Sequence, residues 1–147
     1  MSVVAWKAGV MASDSKAYGG SYESSPGTKH KTDRLPDGSL LGIISSVVGL
    51  PERFRRWVAA GSDPAAWLGD APVMRALHVK PDGEVFLYDD SIYPSGPIEC
   101  AAYAIGSGGA YAVGAMAFGA TAKQAVYIAL DIDPHCGGPV HTLTLES

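Results

Sequence analysis

The sequence predicts an α+β fold, in which helices pack against antiparallel sheets. Most of the chain before Gly106 consists of short apolar segments separated by tight turns, which is typical of β-hairpins. Two apolar segments of helical length follow, and a short alternating segment lies near the carboxyl end. Strands, then helices, then a strand indicate helices laid on sheets rather than a parallel sheet with alternating crossover helices.

Turn residues divide the strand-rich part into three hairpins. The first turns at Lys7–Gly9, and the others turn at Leu35–Gly38 and Pro81–Gly83, where proline presets a backbone angle and glycine takes the left-handed conformation. Residues Tyr18–Gly27, rich in Gly, Ser and Tyr, are predicted to form a loop. The predicted strands are Val3–Trp6, Gly9–Ser13, two within Asp33–Ser46, Ala76–Val79, Glu84–Tyr88, Ala101–Ile105 and Val140–Leu145.

Helical spacing of apolar residues predicts three helices, which are Pro51–Ala60, Gly109–Phe118 and Ala122–Leu130. Proline at the start of the first helix suits a first-turn position. Thr121 and Gln124 form a capping-box pattern at the start of the third helix. Prolines and a glycine between residues 61 and 73 limit any helix there to a short one.

Length and composition predict one domain that spans residues 1–147. Apolar residues make up 47% of the chain and charged residues 18%, which fits a folded core. A net charge of −4 without a broad basic face argues against a nucleic-acid partner. No apolar segment reaches membrane-spanning length, and no signal-peptide pattern is present. Cys100 and Cys136 are too few for a disulfide framework, so a cytoplasmic location is expected.

Metal and cofactor motifs are not found. His135 and Cys136 are adjacent but lack a second ligand pair at metal-binding spacing. The glycine-rich segment at 106–109 lacks the Lys-Ser/Thr ending of a phosphate-binding loop. We therefore expect no metal and no cofactor.

Ser2 is a candidate nucleophile because it directly follows Met1. Removal of Met1 would leave a hydroxyl and a free α-amine on the same residue. A hydroxyl is a poor nucleophile unless a base accepts its proton. An α-amine, with an unperturbed pKa of about 8, is partly neutral near physiological pH and can serve as that base.

Four segments, taken in chain order, carry a resemblance to a known family. They are Gly9–Ser15 (Gly-Val-Met-Ala-Ser-Asp-Ser), Lys31 shortly before Arg34-Leu35, Ile105–Gly109 (Ile-Gly-Ser-Gly-Gly) and Asp133–Gly138 (Asp-Pro-His-Cys-Gly-Gly). This series resembles the proteasome β-subunit and HslV-type peptidase family, within the N-terminal-nucleophile hydrolases. The chain resembles compact members of the kind encoded by phages and prophages.

The resemblance implies a fold, an activity and roles for individual residues. The implied fold is a four-layer αββα sandwich with shortened helices in the middle of the chain. The implied activity is peptide or protein hydrolysis by Ser2, in a homo-oligomeric ring that works with an ATP-dependent unfoldase. Lys31 would lie beside the Ser2 hydroxyl and Asp14 would orient Lys31. The implied shell around the amine is Ser107, Asp133 and Cys136, and the implied oxyanion donors are the backbone amides of Ser45, Ser46 and Val47.

The sequence departs from the family pattern at several of these positions. Serine replaces the usual threonine at position 2, and Cys136 replaces a serine. The segment Ile43–Val48 contains no glycine, although the family has glycine where the oxyanion forms. A second hypothesis is therefore a catalytically inactive structural or assembly protein of the same fold, for example one that binds phage structural proteins and is associated with the virion.

Three candidate residues also have ordinary structural interpretations. Lys31 lies in a basic segment and could be a solvated charge. Asp14 could cap a turn before Ser15. Ser107 could be the N-cap of the helix that begins at Gly109.

Overall fold

The computed structural model describes residues 2–18 and 24–146. Within these ranges the strands are β1 (Val4–Lys7), β2 (Val10–Ser13), β3 (Lys16–Tyr18), β4 (Ser24–Thr28), β5 (Thr32–Arg34), β6 (Leu40–Ile44), β7 (Arg75–Val79), β8 (Val85–Asp89), β9 (Ala102–Ile105) and β10 (His141–Thr144). The helices are α1 (Leu50–Ala59), α2 (Gly109–Phe118) and α3 (Ala122–Ile132), with a short 3₁₀ turn at Pro64–Ala66. The mixture of antiparallel sheets and helices agrees with the predicted α+β class.

The first sheet has the strand order β10-β2-β1-β9, with antiparallel pairing throughout. Strand β1 lies inside the sheet, and Val4 pairs with Ser13 on one side and with Ile105 on the other. The β1–β2 turn holds Ala8 and Gly9 at φ values of 50° and 81°. A two-residue turn with positive φ at both positions matches the twist of a hairpin.

The second sheet has the strand order β5-β6-β7-β8, also antiparallel. The β5–β6 turn closes through Gly38, whose φ of 88° requires the left-handed conformation that glycine adopts without strain. Strand β6 runs from this turn toward Ser45. The second and third predicted hairpins are therefore confirmed.

Three apolar clusters pack the helices against the sheets and the two sheets against each other. Helices α2 and α3 cover one face of the first sheet, where Val3, Ala5 and Ala12 are buried. The facing surfaces of the two sheets enclose a second cluster, which includes Val4 and Met11. Helix α1 packs on the other face of the second sheet, where its aromatic residues Phe54 and Trp57 lie with Trp67 and Tyr88.

Helices α1 and α3 begin with the local features that the sequence predicts, a first-turn proline and a capping box. Helix α1 has Pro51 in its first turn and buries one face, as predicted. Helix α3 begins with the predicted capping box, in which the Thr121 hydroxyl accepts from the Gln124 amide and the Gln124 side chain accepts from the Thr121 amide. It extends to Ile132, two residues beyond its predicted end. In the described parts of the chain, no helix is both long enough and apolar enough to cross a membrane.

The predicted loop at Tyr18–Gly27 is wrong in part. Strands β3 and β4 form a separate hairpin in which Lys16 pairs with Thr28 and Tyr18 with Ser24. Residues 19–23 of the predicted loop lie outside the described residues. Backbone pairing does not require an apolar alternation, so the polar composition of this segment concealed the hairpin.

Acid should destabilise the fold through His78 on β7. His78 is buried, with Nε2 2.9 Å from Ser39 Oγ. Burial, followed by the charge of Lys80, lowers the pKa of His78 from 6.5 to about 4. Between these pH values the unfolded chain binds a proton that the folded chain does not. The free energy of unfolding should therefore fall as the pH drops through this interval, by up to about 3 kcal/mol, as measured by urea unfolding.

The variant His78→Gln is the control for this prediction, because glutamine still offers a hydrogen bond to Ser39 but does not titrate. Between pH 6.5 and about 4, the free energy of unfolding of His78→Gln should fall less than that of the wild-type protein. An equal pH dependence in both proteins would show that His78 is not the responsible group.

Candidate active site

Lys31, Asp14 and Ser2 form a buried hydrogen-bonded series. The Lys31 ammonium donates to Ser2 Oγ over 2.7 Å and to Asp14 Oδ1 over 2.9 Å. Asp14 is fully buried, and Ser2 and Lys31 are 5% and 9% exposed. The structure therefore brings the predicted nucleophile, cation and orienting carboxylate together, and Lys31 is not a solvated surface charge.

Neighbouring strands place these three residues. Ser2 lies just before β1 and Asp14 directly after β2, so pairing of the first hairpin brings their backbones together. Lys31 lies just before β5, at the edge of the second sheet. Gly106, after β9, permits the close approach of Ser2, because a Cβ there would lie 2.1 Å from the Ser2 carbonyl oxygen. Its φ of 99° also favours glycine.

Asp14 accepts more than the lysine hydrogen bond. Its Oδ1 also accepts from the amide of Val3 over 3.1 Å, and its Oδ2 accepts from the amide of Gly137 over 3.2 Å. These backbone donors fix the carboxylate in one orientation. Asp14 therefore links the start of β1, Lys31 and the Asp133–Gly138 segment. This role is wider than capping a turn before Ser15.

Ser107 and Asp133 lie around the backbone nitrogen of Ser2. That nitrogen donates to Ser107 Oγ over 3.1 Å, and the Ser107 side chain hydrogen-bonds Asp133. The amide of Gly108 donates to the Ser2 carbonyl over 3.1 Å. Ser107 is not the helix N-cap, because Gly108 occupies that position without a side-chain cap. Met1, which the catalytic hypothesis requires to be removed, lies outside the described residues.

Cys136 completes this part of the site. Its Sγ donates to Asp133 Oδ2 over 3.5 Å, and the amide of His135 donates to Asp133 Oδ1 over 2.9 Å. A thiol is a weaker donor than the serine hydroxyl of the family pattern. The predicted shell of Ser107, Asp133 and Cys136 is thus assembled around one carboxylate.

Burial, charge and hydrogen bonding shift the pKa values of three groups in this site. Burial lowers the pKa of Lys31, although the charge of Asp14 partly opposes the shift. Burial alone would raise the pKa of Asp133, but hydrogen bonds from Ser107 and from the His135 amide outweigh it and lower the pKa. Burial, then the charges of Asp14 and Asp133, raises the pKa of Cys136 to about 12. The thiol therefore stays protonated and does not compete as a nucleophile.

Cys136 should resist alkylation in the folded protein. Iodoacetamide at about pH 8 reacts with thiolates, so it should modify the exposed Cys100 and leave the buried, protonated Cys136 intact. Intact mass should rise by one adduct in the native state and by two in denaturant. In Cys100→Ser, rapid native labelling would contradict the prediction.

The three predicted oxyanion donors, the backbone amides of Ser45, Ser46 and Val47, follow β6 but have different surroundings. Ser45 lines the same cavity as Ser2. Its hydroxyl donates to the Val73 carbonyl over 2.7 Å and accepts from the Val47 amide over 3.0 Å. The Val47 amide is therefore engaged within its own turn. Of the three predicted donors, Ser45 is the one that the structure places in the wall of the Ser2 cavity.

A cavity of about 70 Å³ opens beside Ser2. Its walls include the aliphatic side chains of Ile43 and Ile44 and two ion pairs, which are Lys29–Glu52 at 2.8 Å and Asp33–Arg55 at 2.8 Å. The cavity is small and polar at its rim. Among the described residues, no group of three His, Cys, Asp or Glu side chains could hold a metal ion.

Lys16 and Tyr18 on β3 also belong to the site, although the sequence did not predict them there. Both line the Ser2 cavity. The Lys16 ammonium donates to the Pro134 carbonyl over 2.9 Å, and the Tyr18 hydroxyl donates to the His135 carbonyl. They therefore hold the segment that orients Asp14 and Ser107. The sequence signal that could have placed Lys16 in the site is its position, two residues after Asp14.

Comparisons with solved structures identify the fold. Eukaryotic HslV from Trypanosoma brucei superposes with a TM-score of 0.71 and 19% sequence identity, over 99% of this chain and 99% of that chain. The chain has the fold of HslV. BPH from Thiobacillus denitrificans is also similar, with a TM-score of 0.59, 22% identity, and coverage of 99% of this chain and 98% of that one. BPH in complex with epoxomicin gives a TM-score of 0.61 at 22% identity, over 99% of both chains. No protein-family model and no curated protein matches the sequence.

Proposed function

We propose that this protein is an N-terminal-nucleophile peptidase of the HslV and proteasome type, which uses Ser2 after removal of Met1. The observation that carries the proposal is the 2.7 Å hydrogen bond from a buried, carboxylate-held Lys31 to Ser2 Oγ. A buried ammonium is costly unless it is paired, so its placement against an otherwise ordinary serine calls for a functional reason.

The proposed reaction is attack of Ser2 Oγ on a peptide carbonyl. The freed α-amine accepts the hydroxyl proton and donates it to the leaving amine as the peptide bond breaks, which leaves an ester on Ser2. A water molecule that gives its proton to the same α-amine then hydrolyses the ester and restores the Ser2 hydroxyl. Lys31 keeps the local potential positive, which favours the neutral amine and the developing negative charge. Ser107, ordered by Asp133, holds the amine. The Ser45 amide is the proposed oxyanion donor, and one such donor typically contributes about 3 kcal/mol.

The packing order of the chain supports this assignment. Helices α2 and α3, the first sheet, the second sheet and α1 follow one another through three apolar clusters. This order supports a four-layer αββα sandwich with one short helical layer. The fold shared with HslV and with the epoxomicin complex of BPH further supports a peptide or protein as the substrate.

A homo-oligomeric ring is part of the proposal. Large apolar side chains are exposed on α2 and α3, and they are Tyr111, Val113, Phe118, Tyr127, Ile128 and Ile132. Phe118 is 98% exposed, which is unfavourable for a surface that stays in water. A second copy of the chain would cover this surface. An ATP-dependent unfoldase as partner and a cytoplasmic location accompany the ring model.

Intact mass spectrometry with epoxomicin tests the catalytic proposal. The purified protein should have the mass of a chain that begins at Ser2, and epoxomicin should add one probe per chain. Ser2→Ala should abolish the adduct, whereas Ser2→Thr should retain it because it keeps a hydroxyl and an amine. A chain that retains Met1 and never forms an adduct would exclude the hydrolase.

A second candidate is a catalytically inactive scaffold, such as a phage structural or assembly protein. The observation that favours it is the Val47 amide, which donates to Ser45 Oγ instead of facing the Ser2 cavity. Exposed Val48, at 74%, adds an apolar edge suited to a partner. Unchanged biological behaviour of Ser2→Ala would favour the scaffold, and loss of peptide cleavage would exclude it.

A further inference from the structure

Three polar side chains between the sheets take no part in the proposed reaction. They are Ser13 on β2, Thr32 on β5 and His141 on β10, here called the inter-sheet cluster. Ser13 and Thr32 are 0% and 4% exposed. Among the described residues, their hydroxyl oxygens and Nδ1 of His141 are buried without a hydrogen-bond partner. Buried polar atoms are nearly always satisfied, so three neighbouring exceptions indicate a bound polar molecule.

Strand pairing in the first sheet turns Ser13 and His141 toward the second sheet. Met11 lies in the core between the sheets, and side chains alternate along a strand, so Ser13 faces the same core two residues later. His141 pairs directly with Ser13 across β10 and β2. Directly paired residues present their side chains on one face of a sheet.

Thr32 faces these two residues from the second sheet. It pairs with Gly42, and a Cβ on Gly42 would lie 2.5 Å from Cγ1 of Val4. Val4 in turn pairs with Ser13. The Arg34 guanidinium, two residues after Thr32, donates to the Thr144 carbonyl over 2.6 Å, so β5 also lies across β10. The three side chains therefore lie on the facing surfaces of the two sheets, where β5 contacts both β2 and β10.

His30 covers the cluster. Its ring stacks on His141, with the ring centroids 3.9 Å apart and an interplanar angle of 16°. His30 also lines the Ser2 cavity, so it lies next to both His141 and that cavity. The cluster thus lies between the two sheets, with the His30 ring stacked against one of its members.

The chemistry of the cluster favours an uncharged molecule that can both donate and accept. Hydroxyl groups do both, whereas a neutral imidazole nitrogen without a proton only accepts. A cation is disfavoured because the two hydroxyls and a neutral imidazole carry no negative charge to balance a buried one. A buried water typically makes about three hydrogen bonds, which matches the three orphaned atoms.

We propose that Ser13, Thr32 and His141 bind one buried water molecule, covered by His30, which joins the two sheets beside the Lys31–Asp14 pair. Ser13 precedes Asp14 and Thr32 follows Lys31. The water therefore fixes the spacing of the two segments that carry this pair. The proposal does not depend on hydrolysis by Ser2.

A crystal structure at a resolution that places ordered water gives the direct test. The expected result is one water within about 2.7–3.2 Å of both hydroxyls and of His141 Nδ1. Direct hydrogen bonds among the three side chains, with no water between them, would overturn the proposal. This test uses the unmodified protein, so it remains decisive if a variant fails to fold.

Thermal unfolding of variants gives a second test. Thr32→Val and Ser13→Ala should each lower Tm by about 3–6 °C, because each removes one partner of the water. The double variant should lose less than the sum, because the water leaves with the first partner. Thr142→Val, at an exposed position on β10, should add to Ser13→Ala without coupling. Additive losses for Ser13 and Thr32 would contradict a shared water, whatever the peptidase assay shows.

Discussion

Asp14→Asn should destabilise the protein by about 3–5 kcal/mol, because it leaves the buried Lys31 ammonium without a counter-charge. Asparagine also presents an N–H₂ group where Asp14 now accepts backbone hydrogen bonds from Val3 and Gly137. A loss of this size approaches the whole stability of many domains. Urea unfolding, followed by circular dichroism, measures it.

Two comparisons separate this effect from a general cost of removing a carboxylate. Asp33→Asn breaks a partly exposed pair with Arg55 and should cost no more than about 1 kcal/mol. The double variant Asp14→Asn with Lys31→Met should recover part of the loss, because no unpaired charge then remains buried. If Asp14→Asn and Asp33→Asn cost the same, the ion pair does not hold this end of the fold together.

Local signals account for most of the fold that could be predicted. The Pro-Asp-Gly turns determine their own backbone angles, and the Thr121–Gln124 capping box closes within one helical turn, so neither depends on distant residues. The β3–β4 hairpin was missed because its polar segment carries no periodic apolar pattern. Its pairing depends on backbone hydrogen bonds and on contacts with another part of the chain.

Only part of the candidate site could be predicted from the sequence. Residue chemistry identifies Ser2 as a nucleophile that carries its own base, but the partners Asp14 and Lys31 came from the family resemblance. Tyr18 and His135 lie 117 positions apart, and no local pattern predicts such a contact. The orientation of the Val47 amide depends on the Ser45 hydroxyl, which the family comparison could not anticipate because the family has glycine in this segment.

Lys31→Met should lower the rate of epoxomicin labelling by about 10³-fold. The ammonium lies 2.7 Å from Ser2 Oγ and supplies the positive potential that favours both the neutral amine and the developing oxyanion. Removal of one such electrostatic group typically costs 10²–10³-fold, and weaker proton transfer adds to the loss. Methionine fills most of the space of the lysine stem, so the position of Ser2 is retained. The adduct is followed by intact mass against time.

The control for Lys31→Met is Lys123→Met, which removes an exposed lysine on α3 and should label at the wild-type rate. Lys31→Met leaves the buried Asp14 carboxylate without its counter-charge, a cost that the backbone donors Val3 and Gly137 offset in part. Labelling is therefore compared at a temperature at which circular dichroism shows both variants folded. A folded Lys31→Met protein that labels as fast as wild type would show that Lys31 does not activate Ser2. The buried ion pair would then be a structural support, as the scaffold hypothesis requires.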